Sequence, residues 1–375
     1  MSDDADLTPT PPLRRSPLHD RHVAAGARMA AFAGWEMPID YGSVVAEHMA
    51  VRTAAGMFDL THLGTVIVSG PDAAAVLQRS FSNDITVLEV GRSHYSLCLD
   101  ERAGIIDDLL VYRLQDFFLV VPNAANTAAV TARLLDATRV TGPDGGHADA
   151  EVAVRQLACV AVQGPRSVPL LAAGMAAAGV DGDPTGLAYL ECSSSGHGQI
   201  LSRSGYTGEV GFEVFCGADT AGALWDALVA EGVTPAGLGC RDTLRLEMGY
   251  PLHGNDISTD TTPVDAGLRW AVKPGTGFVG EEAFTVAAAD GPRRRLRGIR
   301  AEGRRAPRAG DTVLDADGEI GTMTSGSFSP VNEIGIGLAY LAADVEIGAA
   351  VTVDVRGKPV PGVVVTPPFV QARTR

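Results

Sequence analysis

Residues 103–114, AGIIDDLLVYRL, set two adjacent acids inside a run that otherwise reads as a buried strand. Successive strand side chains point to opposite faces, so Ile106, Asp108, Leu110 and Tyr112 share one face while Asp107, Leu109 and Val111 share the other. Neither carboxylate escapes apolar company. Burying an ionised carboxylate costs several kcal/mol unless donors meet it or its pKa shifts, so at least one of these acids needs a purpose. Gln115-Asp116 separate the run from a second apolar stretch, residues 117–121, which predicts a tight hairpin and places Asp108 in an antiparallel sheet.

At 375 residues the chain exceeds one typical core, and its 46% hydrophobic content suits two or three well-buried domains. Its five cysteines (Cys98, Cys159, Cys192, Cys216 and Cys240) are widely spaced, with no C-x-x-C pair and no Cys/His cluster at zinc spacing. A reduced, cytoplasmic protein without a metal site is the simplest reading. No apolar run approaches the roughly 20 residues of a membrane span, and the acidic, then Pro-rich residues 1–15 read as a disordered tail without a signal-peptide core. A net charge of −15 argues against a nucleic-acid surface, because phosphate contacts require a basic footprint. The partner is then a small molecule or a protein.

Along the chain, SPLHDRHVAAGARMAAFAGW opens with a Ser-Pro helix-start signal and becomes Ala-rich, and SVVAEHMAVRTAAG predicts a second helix closed by Gly56. TVIVSG, ACVAVQ and the two flanks of the glycine-rich stretch in GQILSRSGYTGEVGFEVFC predict strands; PDAAAVLQRSF, NAANTAAVTARLLDAT and DTAGALWDALVAEG predict helices. The region through Gly267 is therefore α+β. Near Asp290 the composition shifts to Gly, Pro and Arg, followed by short strands and turns, which predicts a small all-β barrel or sandwich over 290–375. The arginine run within 293–300 reads as a solvated strand face.

Four constellations can carry chemistry. The residues alone leave Asp107-Asp108 open between a structural pair and a carboxylate tuned by burial for proton transfer. In SGYTGEVGFEV, ordinary hairpin chemistry explains the glycines, yet Glu213, inside Gly-Phe-Glu-Val-Phe, needs a partner. The absence of G-x-G-x-x-G and of a Walker A pattern removes support for dinucleotide and triphosphate sites. In GLGCRDTLRLEMG a helix starting after Gly239 puts Arg241 in its first turn, where the macrodipole disfavours a cation, and Arg241 with Arg245 one turn on can hold a carboxylate or a polar heterocycle. FAGWEMP and FDLTHLG bring aromatic residues, Met and His62 beside glycine, which suits either a flat-ring pocket or plain core packing.

FDLTHLG, AGIIDDLLVY, VPNAAN, AVQGP, GYTGEVGFE, GLGCRDTLRLEMG, PLHGND, TPVDAGLRWAV, TSGSFSP and PPFV follow one another in the order seen in aminomethyltransferases. From residue 16 onward the chain resembles the T-protein family of the glycine cleavage system. The resemblance implies a three-domain cloverleaf around a central folate channel, with interleaved α+β domains over 16–289 and a C-terminal barrel-like domain over 290–375. It implies tetrahydrofolate as cosubstrate, a lipoyl-bearing H-protein as partner, and no metal, nucleic acid or membrane. Asp108 would assist attack by a folate amine, Glu213 and Arg241 would bind the polar edge of the pterin, and Tyr206, Tyr112, Leu63, Asn123 and Trp270 would line the channel. The family's Ser-His-Met is Thr61-His62-Leu63 here, and its Gly-Glu-Asp-Gly is Gly208-Glu209-Val210-Gly211, which removes an acid beside the site.

Two other readings share these blocks. A stand-alone folate-dependent demethylase changes only the donor, while the related flavin dehydrogenases carry a dinucleotide fingerprint that this chain lacks. A non-enzymatic folate-binding accessory protein would carry Lys-Gly-Cys-Tyr-x-Gly-Gln-Glu, where this chain has Arg203-Ser204-Gly205-Tyr206-Thr207-Gly208-Glu209.

Overall fold

A computed structural model describes residues 12–142, 146–195 and 198–374. The acid-pair strand, Ile105–Arg113, lies second in a five-stranded antiparallel sheet ordered Arg92–Leu99, Ile105–Arg113, Phe117–Val121, Val66–Ser69, Glu151–Val154. The predicted hairpin is present, closed by the Leu114 N–H donating to the Phe117 carbonyl at 2.9 Å. Strand alternation divides the side chains as expected. Leu109 and Val111 pack with Val66, Val68 and Val120 beneath helices Ala73–Ser80 and Thr127–Thr138, while Tyr112 and Leu119 face the other way.

That second face meets a six-stranded sheet ordered Cys192–Ser194, Ile200–Ser202, Gly211–Cys216, Ala158–Gln163, Gly56–Asp59, Thr234–Pro235. Phe58, Ala161 and Phe215 interdigitate with Tyr112 and Leu119 between the sheets, and helices Ser167–Ala178 and Ala218–Ala230 cover the far side. The turn before Gly211–Cys216 is glycine-rich for a packing reason. A Cβ at Gly205 would lie 2.0 Å from Gln163 Oε1, and one at Gly211 would lie 2.2 Å from its Nε2. Gln163 in turn donates to the Ser204 carbonyl at 3.1 Å and accepts from the Thr207 hydroxyl at 2.8 Å, so it moulds the turn.

The C-terminal strands close into a six-stranded barrel, in the order Arg294–Ala301, Ile334–Ala342, Glu319–Ser329, Thr312–Leu314, Ala350–Asp354, Pro359–Val365. Ile299, Val313, Met323, Leu341, Val353 and Val364 fill it. The barrel alternative thus holds over the sandwich.

Three local expectations are corrected. The N-terminal helix is only His19–Ala24; Gly26, at φ 76°, ends it, and Arg28–Phe32 forms a strand against Trp35–Asp40. Most of the expected tail lies outside the described residues, but Arg14–Arg15 pair in parallel with Trp35–Glu36 and the Arg14 guanidinium sits 3.9 Å from the Trp35 ring centroid. The second helix, Val44–Thr53, is capped by the Ser43 hydroxyl and ends before Gly56, which begins a buried strand where a Cβ would meet Val51 at 2.5 Å.

The arginine helix, Leu238–Glu247, starts ahead of its predicted position at the Gly237 cap, whose N–H donates to Glu47 at 2.9 Å. It ends in a buried ionic cluster. Arg52 donates to Glu247 Oε2 at 2.8 and 3.0 Å, to Glu209 Oε1 at 2.9 Å and to the Thr207 carbonyl at 2.7 Å. His48 meets the same Glu247 oxygen at 3.0 Å, and Ser329 of the barrel donates to the other at 2.6 Å. Removing one partner from a buried ion pair strands the other charge. Arg52→Met should therefore cost about 3–5 kcal/mol in urea unfolding. Burial alone pushes the Glu247 carboxyl up, but His48, Ser329 and Arg52 outweigh it and hold it at about 2 against an ordinary 4.5. Its stabilisation is complete above pH 4.5 and is lost as pH falls toward 2, so wild type should lose stability more steeply than Arg52→Met across that window.

Candidate active site

Asp107 is fully buried and fully occupied. Its Oδ2 accepts the Asn123 backbone N–H at 3.0 Å, and its Oδ1 accepts the Asn123 and Asn126 side-chain amides at 2.8 and 2.7 Å. Both asparagines come from the turn that follows strand Phe117–Val121, so the hairpin partner itself delivers the donors. Burial and, next, the charge of Asp108 still push the Asp107 carboxyl up to about 7.

Asp108 points the other way and remains partly open. Tyr95 donates to its Oδ2 and the Asn123 amide to its Oδ1, each at 3.1 Å. Burial raises its pKa; the Tyr95 bond, nearby His253 and the Asn123 bond offset only part of that. His253 is fixed by a 3.1 Å hydrogen bond between its Nε2 and the Ile105 carbonyl at the start of the same strand. Tyr95 occupies the neighbouring strand, opposite Leu110, one diagonal step from Asp108. Trp270, 58% exposed, stacks on Tyr95 at 5.1 Å.

Across the inter-sheet space, Glu213 is buried, its Oε2 accepting from Tyr112 at 3.1 Å and Ser204 at 2.6 Å. Its Oε1 accepts nothing among the described residues. Arg241 lies at the end of the first turn of its helix, with its guanidinium carbon 4.8 Å from the Tyr206 ring centroid, and the guanidinium donates no hydrogen bond among the described residues. Burial lowers its pKa, opposed first by the charge of Glu213. Tyr206 stacks on Tyr250 at 5.5 Å and donates to the Pro251 carbonyl. The charge of Asp108 reaches both Tyr95 and Tyr206, raising their hydroxyl pKa values after the larger effect of burial. Leu63 borders the core beneath.

The structure thus gathers Asp108, Asn123 and Trp270 at one end and Glu213, Tyr112, Arg241 and Tyr206 at the other. Arg245, expected beside Arg241, is turned away and consumed: it donates to Asp242, Asp256 and Ser325 at 2.8, 2.7 and 2.8 Å, tying the helix to the barrel. Tyr95, Asn126 and His253 escaped the sequence reading. Only cross-strand register and a loop return bring them to the acids. The C-terminal segment crosses the glycine-rich turn, the Arg373 N–H donating to the Gly208 carbonyl at 2.6 Å. Among the described residues no cluster of His, Cys, Asp and Glu is arranged for a metal ion, and no helix is long and apolar enough to cross a membrane.

An acceptor and an unspent guanidinium flanked by tyrosine, with a partly buried carboxylate beyond, leave polar capacity of the kind that a flat polar heterocycle can fill. Residues 18–287 match the GCVT N-terminal domain and residues 294–371 the glycine cleavage T-protein C-terminal barrel domain. An aminomethyltransferase of Frankia alni is 46% identical over 97% of this chain and 99% of its own length. One of Mycobacterium tuberculosis is 44% identical over 98% of this chain and 100% of its own. The crystal structure of glycine cleavage system aminomethyltransferase T from Bartonella henselae superposes with a TM-score of 0.89 at 37% identity, covering 96% of this chain and 99% of that one. The chain belongs to the aminomethyltransferase family, the T-proteins of the glycine cleavage system.

The adjacent carboxyls should titrate as a coupled pair, with the upper transition near pH 7 in a 13C-detected NMR titration. Because the folded value of Asp107 is raised, its contribution to stability falls as pH rises from the ordinary 3.8 toward 7. Asp108→Asn removes a repelling charge, so the remaining Asp107 midpoint should move down.

Proposed function

We infer that the chain is an aminomethyltransferase that moves the one-carbon unit of an aminomethyl group on the dihydrolipoyl sulfur of an H-protein to tetrahydrofolate. The carrying observation is the pairing of an open Glu213 Oε1 with an Arg241 guanidinium that donates no hydrogen bond among the described residues and rests against Tyr206, which the charge of Asp108 reaches. Glu213 is suited to accept from the N–H and NH2 edge of the pterin, and Arg241 to donate to its carbonyl or ring nitrogen. Tyr112 and Ser204 hold Glu213 in place; Tyr206 gives Arg241 an aromatic floor. Asn123, Leu63 and Trp270 complete the proposed lining.

In the reaction the methylene carbon loses its bonds to sulfur and to the amino nitrogen and gains bonds to N5 and N10 of tetrahydrofolate. The protons from N5 and N10 end on ammonia and on the dihydrolipoyl thiol. Asp108, its pKa raised by burial, is a better proton acceptor than an exposed Asp and stabilises the cationic carbon in passing. Tyr95 and Asn123 aim it; Asp107, saturated with donors, anchors the turn that carries Asn123. In this proposal residues 16–289 form the folate-binding region and 290–375 the barrel domain. The protein works in the cytoplasm, which the five unpaired thiols support.

Purified protein with aminomethylated H-protein and tetrahydrofolate should release ammonia and form 5,10-methylenetetrahydrofolate; folate binding without turnover would point to the demethylase or accessory reading instead. Asp108→Asn should leave folate affinity within a few-fold and lower turnover by roughly 100-fold or more. If Asp107→Asn proved the more damaging change, the two acids would have to exchange roles. Arg241→Ala should weaken folate binding by about tenfold or more in a direct titration, the scale of a lost charged hydrogen bond.

A further inference from the structure

His62 is 5% exposed, and its Nδ1 is buried without any hydrogen-bond partner. The ring is wedged edge-on against Phe32, centroids 5.4 Å apart, and makes no hydrogen bond among the described residues. The acid closest to it in the chain is already committed: Asp59 meets His22 Nε2 at 2.9 Å and accepts the Thr61 N–H at 2.9 Å. Burial first, then the charge of Arg241, pulls the imidazole down to about 4, against a smaller opposing effect of Asp59, so it is neutral at pH 7 and has one N–H to give. A sealed lone pair is tolerated better than a sealed N–H, which puts the proton on Nε2, the nitrogen left within reach.

A buried polar atom without a partner is a liability that Phe or Leu would avoid, so its presence needs an outside reason. His62, the Arg241 guanidinium and Glu213 Oε1 keep unspent capacity among the described residues, and Arg241 is close enough for its charge to act on His62 and to feel that of Glu213. We propose that His62 is a specificity contact of the heterocycle site, donating through Nε2–H to an acceptor of the ring held by Glu213 and Arg241. The proposal rests on the folate reading above and extends it to a residue placed neither among the ligand contacts nor in the reaction.

The test pairs stability with affinity in His62→Phe, His62→Leu and His62→Gln. Removing an unpartnered buried nitrogen should raise the melting temperature of the ligand-free protein in the Phe or Leu variant, while tetrahydrofolate affinity falls about tenfold. His62→Gln keeps an N–H donor and should bind within about threefold of wild type. A Phe or Leu variant that binds tetrahydrofolate like wild type while Arg241→Ala does not overturns the proposal alone, and so does a Gln variant as weak as Leu. Wild-type protein that fails to bind tetrahydrofolate overturns the folate reading and this contact with it.

Discussion

Glu247 is the carboxylate on which the arrangement of the molecule depends. It receives Arg52 and His48 from the helix Val44–Thr53, and Ser329 from the barrel, while Arg52 reaches on to the glycine-rich turn through Glu209 and Thr207. Three separately cored parts of the chain are registered by one buried charge cluster. Hydrophobic contact is tolerant of small slips; a buried pair with saturated oxygens is not, because any displacement leaves a charge without a donor. Arg245 repeats the device two residues earlier in the same helix, binding Asp256 and Ser325. The arginine helix is therefore a spindle between the sheets and the barrel, and Arg241, nearer its start, is carried into the site by the same rigid element.

The division of labour between Asp107 and Asp108 follows from strand geometry and little else. Adjacent residues must face opposite ways, so one acid meets the Asn123 and Asn126 amides and the other meets Tyr95 and the open side. Proximity along the chain keeps them electrostatically coupled although they share no surface. The charge of Asp108 raises the cost of ionising Asp107, while Asp108 itself is raised by burial, which Tyr95, His253 and Asn123 offset only in part.

Local pattern made much of this legible before any coordinates. The hairpin around Gln115-Asp116, the facing of the acids and the α+β body all rest on alternation and turn chemistry within a few residues, and each holds. Barrel closure does not rest on such signals, since it depends on Arg294–Ala301 finding Pro359–Val365 across the whole domain. The pairing of Arg241 with Arg245 shows the same limit inside a helix. Their one-turn spacing is real, yet Arg245 is claimed by Ser325 from the barrel, and no helical periodicity encodes that. Tyr95 was illegible for a related reason: its strand is readable, but its step beside Asp108 is a matter of register. At the N-terminus, alanine content suggested a long helix, and Gly26 with the pairing of Arg28–Phe32 overrode it.

The stack of Trp270 on Tyr95 has an optical consequence. Of the three tryptophans in the chain, Trp35 and Trp225 lie in cores at 5% and 2% exposure, whereas Trp270 stands in solvent, one ring from the hydroxyl that holds Asp108. Red-shifted, iodide-quenchable emission from this protein therefore comes from a single indole, so the molecule carries a native fluorophore one ring away from the acid pair.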